Sequence, residues 1–270
     1  FGTGLLISTF GDPDLEWQRT LDKNIGLDLS MFSNRFHLNF DYYHKRTDPL
    51  IATIKMPSSM GVTSRRANIG IQVDQGFNGS LSYAFLYNPK KGINYTMSVN
   101  FRYGKAYYDK IGHNLDQYNK ENIAKNMVRY YDGGSPTALW AVRSRGIDPA
   151  TGKEIFVRKD GVLTYDFSYD EEVEVGDSRP TLEGVWGNTL YYKGFSASVQ
   201  IRYSFGADAF NSTLFNKVEN ISSSNITTNQ DKRALYDRWK KPGDKAQFKG
   251  ISLSDYTPMS SRFVMKENYI

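Results

Sequence analysis

The sequence predicts an all-β fold, a transmembrane antiparallel β-barrel, of which this chain of 270 residues forms one part. Three observations predict it. Segments of about ten residues alternate apolar and polar side chains, as a strand does when one face meets lipid and the other faces a polar interior. Aromatic residues collect near the ends of these segments, and short turns alternate with long connections along the chain.

The alternation of apolar and polar residues is clearest in the segment Phe36–Tyr43. Ile93–Tyr103 and Phe195–Phe205 repeat it. Successive side chains on a strand point to opposite faces, so each segment has one apolar face and one polar face. We expect the polar side chains to line the barrel interior, and the candidates are His37, Asn39, Asp41, Asn100, Arg102, Gln200 and Arg202.

Seven strands are predicted, at about 16–31, 36–46, 68–87, 93–105, 181–192, 195–206 and from 262 onward. Their length matches a tilted strand that crosses a bilayer, whereas strands of soluble domains usually have about five or six residues. Seven strands would leave two open edges, which lipid does not tolerate. We therefore expect the rest of the barrel to lie outside this sequence, which begins at Phe1 and ends at Ile270 within a predicted strand.

The connections between the predicted strands are of two kinds. Short turns are predicted at Phe32–Arg35, Asn88–Gly92 and Lys193–Gly194, and long loops at about 47–67, 104–179 and 206–260. Short turns on the periplasmic side and long loops on the extracellular side are typical of outer-membrane barrels. Within the long loops we predict a hairpin that joins Leu139–Arg145 to Glu154–Arg158, and short helices in 116–131 and 232–240.

Composition argues against several other classes of protein. There is no cysteine, and the three histidines are not at ligand spacing, so neither a thiolate nor a histidine metal site is predicted. No cofactor motif and no catalytic arrangement is present, so we expect a protein that is not an enzyme. The net charge of +5 is small and its lysines and arginines are dispersed, which does not indicate a nucleic-acid-binding surface.

The middle loop holds the candidate ligand-binding residues Trp140, Arg143 and Arg145. An exposed indole ring and two guanidinium groups could stack on, or hydrogen-bond to, a sugar or a peptide. The alternative is that Trp140 packs inside the loop. An acidic run from Asp170 to Asp177 matches no calcium-loop spacing and is interpreted as a solvated loop.

Several motifs together resemble the SusC/RagA-like family of TonB-dependent outer-membrane transporters of Bacteroidetes. They occur in the family's order and cover nearly the whole chain. The segments that carry the resemblance are Phe10–Trp17, Asn24–Asp28, Asn34–Tyr43, Lys45–Leu50, Asn68–Gly70, Gly146–Gly152, Val175–Pro180, Gly187–Asn188, Tyr192–Phe195, Arg238–Asp244 and Ser260–Phe263. One departure is that the Gly-Val-Glu that often follows the third strand's motif is replaced around Gly76–Asn78.

The resemblance implies that residues 1–270 are the C-terminal portion of a 22-stranded barrel in the bacterial outer membrane, without the plug domain, the TonB box and the last strands. It also implies active import of oligosaccharides or oligopeptides. The implied partners are TonB, which acts through the missing N-terminal part, a SusD-like surface lipoprotein and the outer-membrane lipid. Two alternatives stay open: a passive porin-like barrel, and a secreted β-sandwich that binds or hydrolyses carbohydrate.

Overall fold

The computed structural model describes residues 11–56, 59, 61–62, 64–225, 227–252 and 254–270. Phe10, the first residue of the first motif, lies outside the described residues. Parts of two predicted loops also lie outside them: Pro57, Ser58, Met60 and Thr63 of the loop 47–67, and Ile226 and Leu253 of the loop 206–260.

Strands make up most of the regular structure in the described part of the chain. In chain order they are β1 (Thr20–Met31), β2 (Phe36–Thr47), β3 (Leu50–Lys55), β4 (Ser64–Ile69), β5 (Ile71–Asn88), β6 (Ile93–Asp109), β7 (Ala138–Ile147), β8 (Glu154–Val157), β9 (Leu163–Thr164), β10 (Glu172–Asp177), β11 (Leu182–Tyr192), β12 (Phe195–Phe205), β13 (Asp208–Phe210) and β14 (Val264–Lys266). The helices are α1 (Asp116–Asn122), α2 (Arg233–Tyr236) and a π-helical segment at Leu214–Glu219. Among the residues described, no helix has the length and apolar character needed to cross a membrane.

Six strands form the main sheet in the order β1-β2-β5-β6-β11-β12, and every neighbouring pair is antiparallel. These are the first six predicted strands, displaced by only a few residues at their ends, so the prediction of an antiparallel sheet is confirmed. The register is continuous except for one bulge on β5, between Ala84 and Leu86.

The seventh predicted strand is confirmed only in part. Ser204 on β12 pairs with Tyr269 through two backbone hydrogen bonds of 2.9 and 3.0 Å, which extends the main sheet at its last edge. The residues Val264–Lys266 pair instead with β13 in a separate two-stranded sheet. The chain therefore reaches the edge of the main sheet several residues later than 262.

The three predicted short turns join β1 to β2, β5 to β6 and β11 to β12. The last of these has only two residues, Lys193 and Gly194, whose φ angles are 45° and 92°. Two positive φ angles give a turn whose twist matches that of the strands it joins, which explains why a glycine occupies the second position.

The register places the predicted apolar side chains on one face of the main sheet. The central row across the six strands consists of Leu29, Leu38, Leu81, Val99, Trp186 and Ile201. On the same face Ile25 and Val199 are 75% and 57% exposed, so no second layer of the described chain covers it. A soluble sandwich buries such a face against a second sheet, which the described chain does not provide.

Aromatic residues border this apolar face at both ends. At the end near the long loops, the ring of Phe77 lies 5.3 Å from that of Tyr42 and 6.1 Å from that of Tyr103. At the end near the short turns, the ring of Phe85 lies 4.7 Å from that of Tyr83 and 6.0 Å from that of Tyr95. Two aromatic rows that flank an apolar band match the girdles of barrels in lipid.

The predicted long loops contain more regular structure than expected. The loop 47–67 is an antiparallel hairpin of β3 and β4, and the strand β6 continues to Asp109, beyond the predicted start of the second loop at 104. The alternation of Leu50, Ala52 and Ile54 explains the hairpin, because these side chains pack against a buried cluster that includes Ile111. The described hairpin residues are therefore part of a packed layer rather than an irregular loop.

The second and third long loops fold together. The predicted hairpin is present as β7 and β8, within a four-stranded sheet of order β10-β7-β8-β9. The predicted helices are shorter than their segments, at Asp116–Asn122 and Arg233–Tyr236. Leu139 and Ala141 on β7 share an apolar cluster with Phe215 and Phe263 from the third loop. Packing between the two loops makes them one body, which we call the loop body (residues 110–181 and 206–266).

Candidate functional site

The polar face of the main sheet is the first candidate surface. The register places all seven predicted interior-facing residues on this face, in three successive rows. The rows are His37 with Gln200, Asn39 with Asn100 and Arg202, and Asp41 with Arg102. Side chains that recur at every second position on aligned strands share a face, so the strand pattern alone was enough to group them.

Charged and amide groups on this face contact one another across the strands. Glu183 on β11 lies 3.8 Å from the guanidinium of Arg102 on β6 and 3.9 Å from that of Arg202 on β12. Asn39 Nδ2 donates a 2.7 Å hydrogen bond to Asp28. These contacts are exposed and each contributes about 0–1 kcal/mol, so they make a polar lining rather than a rigid site.

The polar face ends, near the loop body, in a cluster around Tyr43. The Tyr43 hydroxyl donates to Asp74 at 3.3 Å, and the guanidinium of Arg179 makes two hydrogen bonds of 3.1 and 3.2 Å with the same carboxylate. A Cβ on Gly76 or Gly104 would lie 2.9 or 2.5 Å from the Tyr43 oxygen. The two glycines therefore leave the space in which the tyrosine ring crosses β5 and β6.

Arg179 belongs to the segment that leads from the loop body into β11. Burial lowers the pKa of its guanidinium, but the hydrogen bonds and charge of Asp74 outweigh burial and raise it above its ordinary value. The ion pair between Arg179 and Asp74 ties the loop body to the barrel wall, with side chains that are 20% and 27% exposed.

The structure does not bring Trp140, Arg143 and Arg145 together as one surface. Trp140 packs against Tyr131 with ring centroids 4.8 Å apart and ring planes tilted by 55°, and its buried indole Nε1 has no hydrogen-bond partner among the described residues. Arg143 donates to the carbonyl oxygen of Arg158 at 3.0 Å. Arg145 borders an open cleft. The odd spacing between Trp140 and Arg143 places their side chains on opposite faces of β7, and Arg145 lies at an irregularity in the pairing of β7 with β8.

A buried ionic network in the loop body was missed by sequence reasoning. Arg262 pairs with Glu154 at 3.0 Å and with Glu219 at 3.1 Å, and both carboxylates are almost completely buried. Ser260 donates a 2.6 Å hydrogen bond to Glu154, and Thr257 donates one of 3.0 Å to Glu219. Burial lowers the pKa of Arg262, but its bonds to the two glutamates outweigh burial and raise it.

A second buried ion pair corrects the interpretation of the acidic run as a solvated loop. Glu172 accepts two hydrogen bonds from Arg129, of 3.0 and 2.8 Å, and the Arg129 side chain is 1% exposed. Burial raises the pKa of Glu172, and the hydrogen bonds and charge of Arg129 offset only part of that effect. The spacing of the acidic run gives no sign of this partner, which lies 43 residues earlier in the chain.

Two of the motifs that carry the family resemblance contact each other directly. The carbonyl oxygen of Pro149, in the motif Gly146–Gly152, accepts hydrogen bonds from Trp239 Nε1 at 2.9 Å and from the Gly243 amide at 2.8 Å. The Trp239 ring lies against the backbone of Gly152, where a Cβ would be 2.5 Å from the ring. The two motifs therefore form one structural unit that joins the second and third long loops.

The sequence profile of the family described as "TonB dependent receptor-like, beta-barrel" matches residues 2–221 of this chain. The chain belongs to the TonB-dependent receptor-like β-barrel family. Barrels of this family are of the outer-membrane type, which agrees with the lipid-facing surface and the aromatic rows described above.

Curated relatives agree with this membership. TonB-dependent receptor P39 of Formosa agariphila is 24% identical over 96% of the chain, which corresponds to 28% of that protein. TonB-dependent receptor P3 of the same organism is 27% identical over 78% of the chain and 23% of that protein. TonB-dependent receptor SusC of Bacteroides thetaiotaomicron is 24% identical over 80% of the chain and 22% of that protein. The chain spans about a quarter of the length of these relatives.

Solved structures show the same fold. The RagAB peptide importer in its closed-closed state matches with a TM-score of 0.80 and 25% identity, over 97% of this chain and 29% of the matched chain. The open-open state matches with a TM-score of 0.79 and 24% identity, over 98% of this chain and 28% of the matched chain. The six-stranded sheet is therefore a segment of TonB-dependent receptor barrel wall, and the loop body is formed by loops of that segment.

Proposed function

We propose that the whole protein is a TonB-driven outer-membrane importer of oligosaccharides or oligopeptides that works with a SusD-like surface lipoprotein. Residues 1–270 would be the C-terminal portion of its 22-stranded barrel. Membership of the TonB-dependent receptor-like family supports the proposal, as do the similarity to a relative named SusC and the likeness to the RagAB peptide importer.

The observation that carries the proposal is the position of the loop body relative to the polar face of the main sheet. The polar face of the main sheet supplies an interior lined by residues such as Arg102, Glu183 and Arg202. All three long connections leave the main sheet at the end opposite the short turns, so the loop body lies above one mouth of that interior. In an outer-membrane barrel this is the extracellular mouth, where a substrate and a surface lipoprotein would meet the loops.

The proposed mechanism requires no covalent change in the substrate. TonB would supply energy from the inner membrane through the plug domain, which the relatives' greater length can accommodate. The interior-facing residues, among them His37, Asn39 and Asp41, would contact the substrate or the plug. Of the loop candidates, Arg145 borders an open cleft, whereas Trp140 packs against Tyr131 and Arg143 is bonded to the carbonyl oxygen of Arg158.

The test is uptake by cells that carry the full-length gene. We expect deletion of the gene to abolish growth on one oligosaccharide or oligopeptide source, and complementation to restore it only in cells with an intact TonB and an inner-membrane proton gradient. The full-length protein purified in detergent should retain a surface lipoprotein. Uptake that continues after the proton gradient is collapsed would overturn active import and favour a passive pore.

A matched pair of variants links the test to this chain. Glu183→Gln removes the charge between Arg102 and Arg202 on the polar face, and we expect slower uptake at unchanged protein level. Glu267→Gln changes an exposed carboxylate near the end of the loop body and should leave uptake unchanged. Equal uptake by both variants would show that the polar face does not lie on the substrate path.

A further inference from the structure

A cleft of about 420 Å³ opens in the loop body between β7 and the segment that follows Gly243. Its floor is apolar and consists of Ile147, Leu214, Phe248 and Phe263, and Arg145 and Lys245 lie on its rim. A cleft of this size holds a ligand of a few residues. It is separate from the cluster around Tyr43 and from the polar face of the main sheet.

Every charged side chain that lines this cleft is a cation. The three cations are Arg145, Lys245 and Arg262. Arg262 is already neutralised by Glu154 and Glu219. The side chains of Arg145 and Lys245 are exposed and form no hydrogen bond or ion pair with any residue in the described part of the chain. The rim therefore carries two unpaired positive charges, which attract an anionic group.

We propose that this cleft binds the C-terminal residue of an oligopeptide, with the terminal carboxylate on Arg145 and Lys245 and an apolar side chain on the floor. A free C terminus places a carboxylate and a side chain on the same carbon, which matches a cationic rim beside an apolar floor. Charge-assisted hydrogen bonds from a guanidinium or an ammonium to a carboxylate are among the stronger polar contacts in proteins. The identification of this peptide as imported substrate rests on the proposed function.

The lining of the cleft fits a neutral sugar poorly. Sugars bind on the open faces of aromatic rings and exchange hydrogen bonds with carboxylate and amide groups. Here the guanidinium of Arg262 lies 4.5 Å from the ring centroid of Phe263 and 5.9 Å from that of Phe248, so a cation already occupies one face of each ring. Among the described residues that line the cleft there is no carboxylate, and the amide side chain is Gln247. The observations therefore favour a peptide over a neutral oligosaccharide.

The experiment measures binding to the full-length protein in detergent, together with its lipoprotein, by fluorescence anisotropy. The probes are a labelled tetrapeptide that ends in leucine with a free carboxylate, the same peptide amidated at its C terminus, and a labelled hexuronate disaccharide. We expect the free-acid peptide to bind more tightly than its amide. Arg145→Gln and Lys245→Gln should each weaken binding of the free-acid peptide about tenfold, as expected for loss of a charged hydrogen bond.

Two variants control for a general loss of positive charge. Arg143→Gln removes a guanidinium from the same strand, two residues from Arg145, and Lys240→Gln removes an exposed ammonium outside the cleft. Both should bind the free-acid peptide like the unaltered protein. The double variant Arg145→Gln/Lys245→Gln should bind the amidated peptide as the unaltered protein does, which shows that its cleft is still folded.

Three outcomes would overturn the proposal: equal binding of the free-acid and amidated peptides, equal effects of the cleft and control variants, or binding of the hexuronate probe alone. Because binding is measured without TonB, failure of uptake in cells would contradict only the proposed import function. Conversely, uptake of a neutral oligosaccharide together with an unselective cleft would contradict only the peptide site.

Discussion

The indole Nε1 of Trp239 donates a 2.9 Å hydrogen bond to the carbonyl oxygen of Pro149. The two residues are 90 positions apart and belong to two motifs of the family resemblance. The Gly243 amide donates a hydrogen bond of 2.8 Å to the same oxygen, which therefore accepts from two groups of the segment 239–243. In the sequence these motifs are two separate strings, whereas their contact explains why they occur together.

The first prediction concerns Gly152, which lies against the Trp239 ring. Gly152→Ala would place a Cβ 2.5 Å from the ring on a backbone with φ of +71°, so ring and turn must separate. Gly161→Ala is the matched control, because its φ is +88° and nothing lies within 4 Å of its Cβ. We expect Gly152→Ala to cost about 1–3 kcal/mol more than the control. Hydrogen exchange at the Gly243 amide in the full-length protein measures it, and equal exchange in both variants would contradict the packing role.

The second prediction concerns the buried network around Arg262. Arg262→Gln removes the salt-bridge partner of the buried Glu219 and leaves the buried Glu154 with only Lys249, at 3.9 Å. Breaking such a network costs about 3–5 kcal/mol. The loop body should therefore open more often and be cleaved faster in limited proteolysis of the folded full-length protein. Arg66→Gln changes an exposed arginine on β4 and should leave the cleavage rate unchanged.

A further variant tests the origin of that effect. Replacing all three charges, as Glu154→Gln/Glu219→Gln/Arg262→Met, removes the uncompensated charge and should recover much of the lost protease resistance. If the triple variant were cleaved as fast as Arg262→Gln, the loss would come from packing rather than from unpaired charge.

The third prediction concerns pH and Glu172. Because burial raises the pKa of this carboxyl in the folded protein, the folded state binds the proton more tightly than the unfolded state. The stability that protonation of Glu172 contributes to the folded state is therefore complete below the ordinary pKa of 4.5. It is lost as pH rises through the raised pKa of the folded state. Hydrogen exchange around Arg129, corrected for intrinsic rates, should show easier opening at neutral pH than at pH about 4. In the variant Glu172→Gln, the difference in opening between neutral pH and pH about 4 should become smaller. If that difference were unchanged, another titrating group would be its cause.

The strands of the main sheet could be predicted because their signal is local. Each crosses the bilayer, so every second residue must be apolar, and this pattern can be read within a single segment such as Phe36–Tyr43. The hairpin of β3 and β4 carried the same kind of signal in Leu50, Ala52 and Ile54. It was interpreted as a loop because its strands are short and its partner surface near Ile111 lies far along the chain.

The loop body could not be predicted in the same way because its contacts are not local. Glu154, Glu219 and Arg262 have the sequence character of exposed residues, and only folding of two loops together buries them. Trp140, Arg143 and Arg145 are close in sequence, although strand alternation separates the indole from Arg143, and Arg145 lies at an irregularity of β7. Arg145 lines a cleft together with Lys245, which lies in the other loop. No sequence signal links Lys245 to β7.

The last prediction compares two neighbouring residues on β5. Leu81 lies in the central row of the apolar face, and Ser80 lies on the polar face beside Asn39 and Asn100. Leu81→Arg should cost about 2–4 kcal/mol because it places a guanidinium near the bilayer midplane, whereas Ser80→Arg meets the polar interior and should cost little. Guanidinium titration of the full-length protein refolded in lipid vesicles measures both. If Ser80→Arg were as destabilising as Leu81→Arg, or more so, the assignment of the two faces would be reversed.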